Sequence, residues 1–136
     1  MIYKTGSQIQ DDVYQLIRNS DLASSVNGNV YKDGYRPRDS EKEDIVVIFT
    51  TGLADEIQTG VVTINIYVPD VDPYANGVFV KDGLRCSILE EAADSWLNSI
   101  QSDYYFTLNN TIHTTADEDI NQHFVVVKLN YKLLTI

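Results

Sequence analysis

The chain has one cysteine, Cys86, in 136 residues, so no intramolecular disulfide can form and a metal centre of several thiolates is excluded. Histidine is nearly as scarce, with His113 and His123 the only two. The glycines never gather into a phosphate-cradling motif, and there is no G-x-S-x-G elbow to activate a serine. No apolar run approaches the ~18 residues of a membrane helix. Met1-Ile2-Tyr3-Lys4-Thr5 lacks the apolar core of a secretion signal. These absences predict a soluble, cytoplasmic chain without membrane partners, cofactor, metal or catalytic machinery.

Positive charge is also in short supply. Ten Lys and Arg stand against 20 Asp and Glu, a formal net charge of −10. DNA affinity comes mainly from cations that displace counterions, so appreciable nucleic-acid binding is not expected. Two explanations fit the acidity: solubility, or a working place beside nucleic acid to which the protein must not adhere.

What the chain does have is a clear succession of hydrophobic periods. Ile9, Val13, Leu16 and Ile17 mark one face of a helix that Ser7 opens, with Ser7-x-x-Gln10 at capping-box spacing. Ser20 is placed to cap a short turn burying Leu22 and Val26. Asn27-Gly28 turns into a brief extended piece at Val30 and Tyr31. Residues 32–43 hold Arg36-Pro37-Arg38 and read as a charged surface loop. Ile45 to Phe49 is an unbroken apolar run, expected of a strand covered on both faces. A loop over Gly52–Gly60 follows. Val62, Ile64, Ile66 and Val68 then alternate with polar residues up to Pro69-Asp70.

Asp82 caps the second long helix, to Ile100. Its apolar face is read as Leu84, Ile88, Leu89, Ala92, Ala93, Trp96, Leu97 and Ile100, with Ser87, Glu90, Glu91, Asp94 and Asn98 opposite. Tyr104 to Leu108 is a strand, and Asn109-Asn110 is a bulge or a tight turn. In the last strand Val125, Val127, Leu129, Tyr131 and Leu133 face one way. The prediction is one α+β domain over residues 1–136, a mixed or antiparallel sheet with two main helices packed on it in the order α-β-β-α-β-β.

Few groupings invite chemistry. Glu90 and Asp94 lie one turn apart with no third ligand and read as a solvated helix face. Asp70-x-Asp72 with Asn76-Gly77 has part of a calcium-loop pattern, but Lys81 stands where the bidentate Glu belongs. Surface features say more. Arg36 and Arg38 concentrate cations in an acidic chain, suited either to carboxylates of a neighbouring subunit or to plain solvation. Of the nine tyrosines, Tyr35 and Tyr74 lie in loops, where strand propensity does not explain them and interface use does.

The order of these segments resembles that of the tail terminator (tail completion) proteins of long-tailed bacteriophages and prophages. The resemblance runs through "NVYKDGYRP", "EDIVVIFTTG", "GVVTINIYVPD", "LRCSILEEAADSWLNSI" and "QHFVVVKLNYKLL". It implies a structural, non-enzymatic subunit that forms a homo-oligomeric ring, caps the tail tube and joins it to head–tail connector proteins. Such a protein is cytoplasmic during assembly and then part of the virion. On that reading Arg36, Arg38, Tyr35 and Tyr74 are subunit-interface residues, and Asp55, Glu56, Asp70 and Asp72 face the channel that DNA crosses. The alternatives are a neck or head–tail connector subunit, or a cytoplasmic ligand-binding or regulatory α+β domain.

Overall fold

A computed structural model describes residues 3–134. Helix α1 (Gly6–Arg18) and the single turn α2 (Asp21–Ser24) lead into strand β1 (Val30–Lys32). Strands β2 (Ile45–Leu53) and β3 (Ile57–Pro69) come next, followed by helix α3 (Gly83–Ser99). Strands β4 (Tyr104–Leu108), β5 (His113–Asp117) and β6 (Gln122–Leu134) complete the described chain. The expected α+β domain is observed, with a six-stranded mixed sheet in the order β1-β2-β3-β6-β4 and β5 also paired to β6.

The cap of helix α1 lies two residues before the expected one. Thr5 is the N-cap: its hydroxyl accepts from the Gln8 amide at 3.2 Å, and Gln8 Oε1 accepts from the Thr5 amide at 2.8 Å. Gln10, the residue expected to close a box with Ser7, instead accepts from the Phe49 amide at 3.0 Å and ties the helix to β2. Ser20 precedes α2 as expected, but its hydroxyl donates back to the Ile17 carbonyl at 2.6 Å rather than capping the turn.

The core follows strand alternation. Ile45 and Val47 pair with Ile66 and Ile64, which pair in turn with Val125 and Val127, so these side chains share one face. All are buried beneath Ile9, Val13 and Ile17 of α1, Leu22 of α2, and Cys86, Leu89, Ala93 and Trp96 of α3. The three helices therefore cover the same face. On the other face Val46 is buried and Ile48 and Tyr67 are half-buried without a helix above them. Cover on both faces of β2 thus fails beyond its first residues.

Two boundaries differ from the periodicity. The loop expected over Gly52–Gly60 is a continuous hairpin, in which Gly52 pairs with Gly60 and Leu53 with Thr59, leaving Ala54 to Glu56 as the tip. Glycines interrupt the apolar pattern there, yet the backbone ladder continues through them. The second difference is the face of α3. Cys86, Leu89, Ala93 and Trp96 are buried, whereas Leu84 is 75% exposed and Ile88 43%. A helix has only one buried stripe, and the stripe through Cys86 excludes both of them.

The Asn109-Asn110 break is resolved as a bulge-like interruption. Leu108 pairs with Leu129 and His113 with Val126, so residues 109–112 stand opposite Val127 and Lys128 alone. β4 and β5 are two halves of one edge along β6.

Candidate interaction surfaces

Two adjacent acids, Glu43 at the end of the expected surface loop and Asp44 just before the expected strand, turn out to organise the structure. Glu43 is 6% exposed and Asp44 1%. Arg85 of α3 grips Glu43 bidentately, Nε to Oε2 at 2.5 Å and Nη2 to Oε1 at 2.9 Å, and also donates to the Ser25 carbonyl. That hydrogen bond to Glu43, more than any other contact, holds the Arg85 guanidinium above its usual range. Asp44 accepts from the Asn29 amide at 2.9 Å, from Arg36 Nε at 2.9 Å and from the Ser40 hydroxyl at 2.5 Å. Buried carboxylates persist when paired and hydrogen-bonded in this way. The acids bind residues 25–29, the Arg36–Ser40 segment and α3 to the start of β2.

Arg36 and Arg38 are consequently unlike. The Arg36 side chain is 10% exposed, donates to Gln122 Oε1 at 2.8 Å, and stacks 4.0 Å from the Tyr67 ring centroid. Its charge and planar face are engaged within its own chain, which leaves little of it for a neighbouring subunit. Arg38 is exposed and has no ion pair among the described residues. Tyr35 is 74% exposed and Tyr74 80%.

The four acids expected to face a channel do not form one group. Asp70 Oδ1 lies 2.7 Å from His123 Nδ1 and its side chain is 9% exposed, so it is an internal partner rather than a rim charge. Asp72 accepts from the amides of Asn76 and Gly77 at 3.1 and 2.9 Å, shaping its own turn. Asp55 and Glu56 are exposed at the hairpin tip. Thirteen residues of β3 separate that tip from Asp70, about 40 Å at the rise of an extended strand.

Exposed apolar side chains gather at the same two ends. At the hairpin end Leu53, Ile57 and Leu134 are 72%, 51% and 62% exposed, with Ile57 and Leu134 directly opposed across the ladder. At the other end, the segment joining β3 to α3 is pinched by the Val71–Val80 bridge. It exposes Val71, Tyr74, Val78 and Phe79 beside Leu84 and Ile88. Exposed apolar surface, where it is contiguous, marks contact sites.

A cleft of about 620 Å³ opens between the C-terminal part of α1, the end of α3 and the start of β4. Inside it Asp12 Oδ2 accepts from Lys4 Nζ at 2.5 Å and from the Tyr104 hydroxyl at 2.7 Å. Burial, then this hydrogen bond, pushes the Tyr104 phenol well above its ordinary range. Burial likewise raises the Cys86 thiol, the opposite of what a reactive cysteine needs. Glu90 accepts from the Thr114 hydroxyl at 2.6 Å, and no group of His, Cys, Asp and Glu suited to a metal occurs among the described residues. No helix among them is long and apolar enough to cross a membrane.

No protein-family model matches the chain, and no curated protein is significantly similar to it. What is established is the class: a single α+β domain with a six-stranded mixed sheet, which exposes apolar residues at its hairpin end and along the β3–α3 segment among other places.

Proposed function

We propose that this chain is a structural, ring-forming subunit of the phage or prophage tail terminator type, which caps a tail tube and meets a head–tail connector. The observation that carries the reading is the pair of exposed apolar ends, the β2–β3 hairpin and the β3–α3 segment. Both reach outside the layer where helices cover the sheet. Surfaces of this kind serve assembly, and two unlike ones on a single domain suit repeated contacts around a ring. The resemblance in element order and the acidity of a chain that works beside DNA without retaining it point the same way.

Genes for a tail tube or a portal are expected beside this one. Added to tubes growing from that tail-tube protein, the chain should arrest elongation and leave a ring at the tip in electron micrographs. Uninterrupted growth overturns the reading, and a ring that binds only the portal transfers the chain to the neck connectors.

The cleft beside Asp12 and Trp96 favours a second reading, a small-ligand module. A small-molecule occupant would raise the melting temperature of the chain by mass action and perturb Trp96 fluorescence.

A further inference from the structure

We propose that copies of this chain join head to tail, the hairpin tip of one seating against the β3–α3 segment of the next. The contact rests on the ring reading and supplies the two surfaces through which such a ring closes. The tip offers Leu53 and Ile57 flanking Asp55 and Glu56, all exposed. The receiving surface offers Val78, Phe79, Leu84 and Ile88 around Lys81, which is exposed.

The charges nearest Lys81 in the chain are already engaged, while the exposed Glu91 lies a turn beyond Ile88. Asp72 holds its own turn, Asp82 caps α3 by accepting from the Arg85 amide at 3.2 Å, and Arg85 is bound to Glu43. Lys81 therefore remains as the cation for an acidic tip, inside an apolar surround that matches an apolar tip. Glu118 and Asp119, exposed on the β5–β6 turn at the same end of the sheet, would repel the tip and confine it to the Lys81 side.

Symmetry points the same way. A two-fold dimer joined through its tips would place Asp55 and Glu56 against their own copies, and like charges across an interface are unfavourable. Used once per copy, two different surfaces at opposite ends of one strand make a heterologous contact, which closes into rings or continues as filaments, and sedimentation separates these from a reciprocal dimer.

The test uses the full chain carrying Ala54→Cys or Val78→Cys, a short bis-maleimide cross-linker, and sedimentation velocity up to millimolar concentration. Cys86 is buried and does not compete for the reagent. The expected result is cross-linking in the mixture of the two variants and none in either alone. Lys81→Glu should weaken association about tenfold, and combining it with Asp55→Lys and Glu56→Lys should restore most of that loss. Oligomers that cross-link within a single variant, or never in the mixture, overturn this contact and leave the ring reading standing. A chain that stays monomeric throughout overturns both the contact and ring formation by the chain alone.

Discussion

The hydroxyl oxygen of Tyr131 lies against Gly60 with no room for a side chain between them. A Cβ built at Gly60 would stand 2.6 Å from that oxygen and 2.1 Å from the Thr51 carbonyl, and one at Gly52 would stand 2.3 Å from the hydroxyl. The glycines thus let the ring of β6 pack under the hairpin. The hydroxyl itself has no hydrogen-bond partner among the described residues. Gly60→Ala should therefore cost about 3 kcal/mol or more in urea unfolding. Tyr131→Phe, which removes an unsatisfied buried oxygen, should be neutral or stabilising. A Phe variant that loses several kcal/mol would mean that the hydroxyl is satisfied.

Arg36 and Arg38 should separate in the same experiment. Removing Arg36 leaves the buried Asp44 carboxylate short of its cation, so Arg36→Ala is expected to cost about 3–5 kcal/mol. Arg38→Ala, at an exposed position, should change stability by less than about 0.5 kcal/mol. Equal effects would contradict the observed network.

The two faces of α3 make a similar contrast. Trp96 is 6% exposed and lies in the core, and Trp96→Ala should cost about 3–5 kcal/mol. Leu84→Ser should leave the unfolding midpoint of the monomer nearly unchanged, because the side chain is already in solvent. A large loss at Leu84 would restore the face expected from periodicity.

Stability should fall in alkali. Burial raises Cys86, Tyr104 and Tyr131 above their ordinary values of 9.0, 10.0 and 10.0. The unfolded chain then releases protons at a lower pH than the folded one. Stability from these neutral groups is complete below about pH 9 and is lost as pH rises towards their folded values. Denaturant midpoints measured from pH 7 to 11 should decline, and Tyr104→Phe should flatten the decline. A profile that rises with pH would refute it.

Duplex DNA should not bind. With 20 acids against 10 bases, and Arg36 and Arg85 committed to carboxylates, few cations remain to displace counterions. A filter-binding titration at low salt should stay flat. Salt-sensitive micromolar binding would remove the argument that this acidity keeps DNA from adhering.

Alternation alone was enough to place β6 and the part of β3 from Val62 onward, because each inward residue recurs at every second position and needs no knowledge of its partner. The same holds for Ile9, Val13 and Ile17 on α1 and for the cap at Asp82, whose physics is confined to neighbouring turns. The tertiary structure decided what depends on distant segments. Arg36 and Arg38 are indistinguishable in sequence, and only the approach of Asp44, Tyr67 and Gln122 divides them. Glu43 reads as a loop charge until Arg85, 42 residues away, comes to meet it. The glycines of the hairpin read as a loop until Tyr131 packs on them, and Leu84 and Ile88 read as core until Cys86 takes the buried stripe. Local periodicity records which side of an element is apolar, whereas the choice between burial and display is made by whatever packs against it.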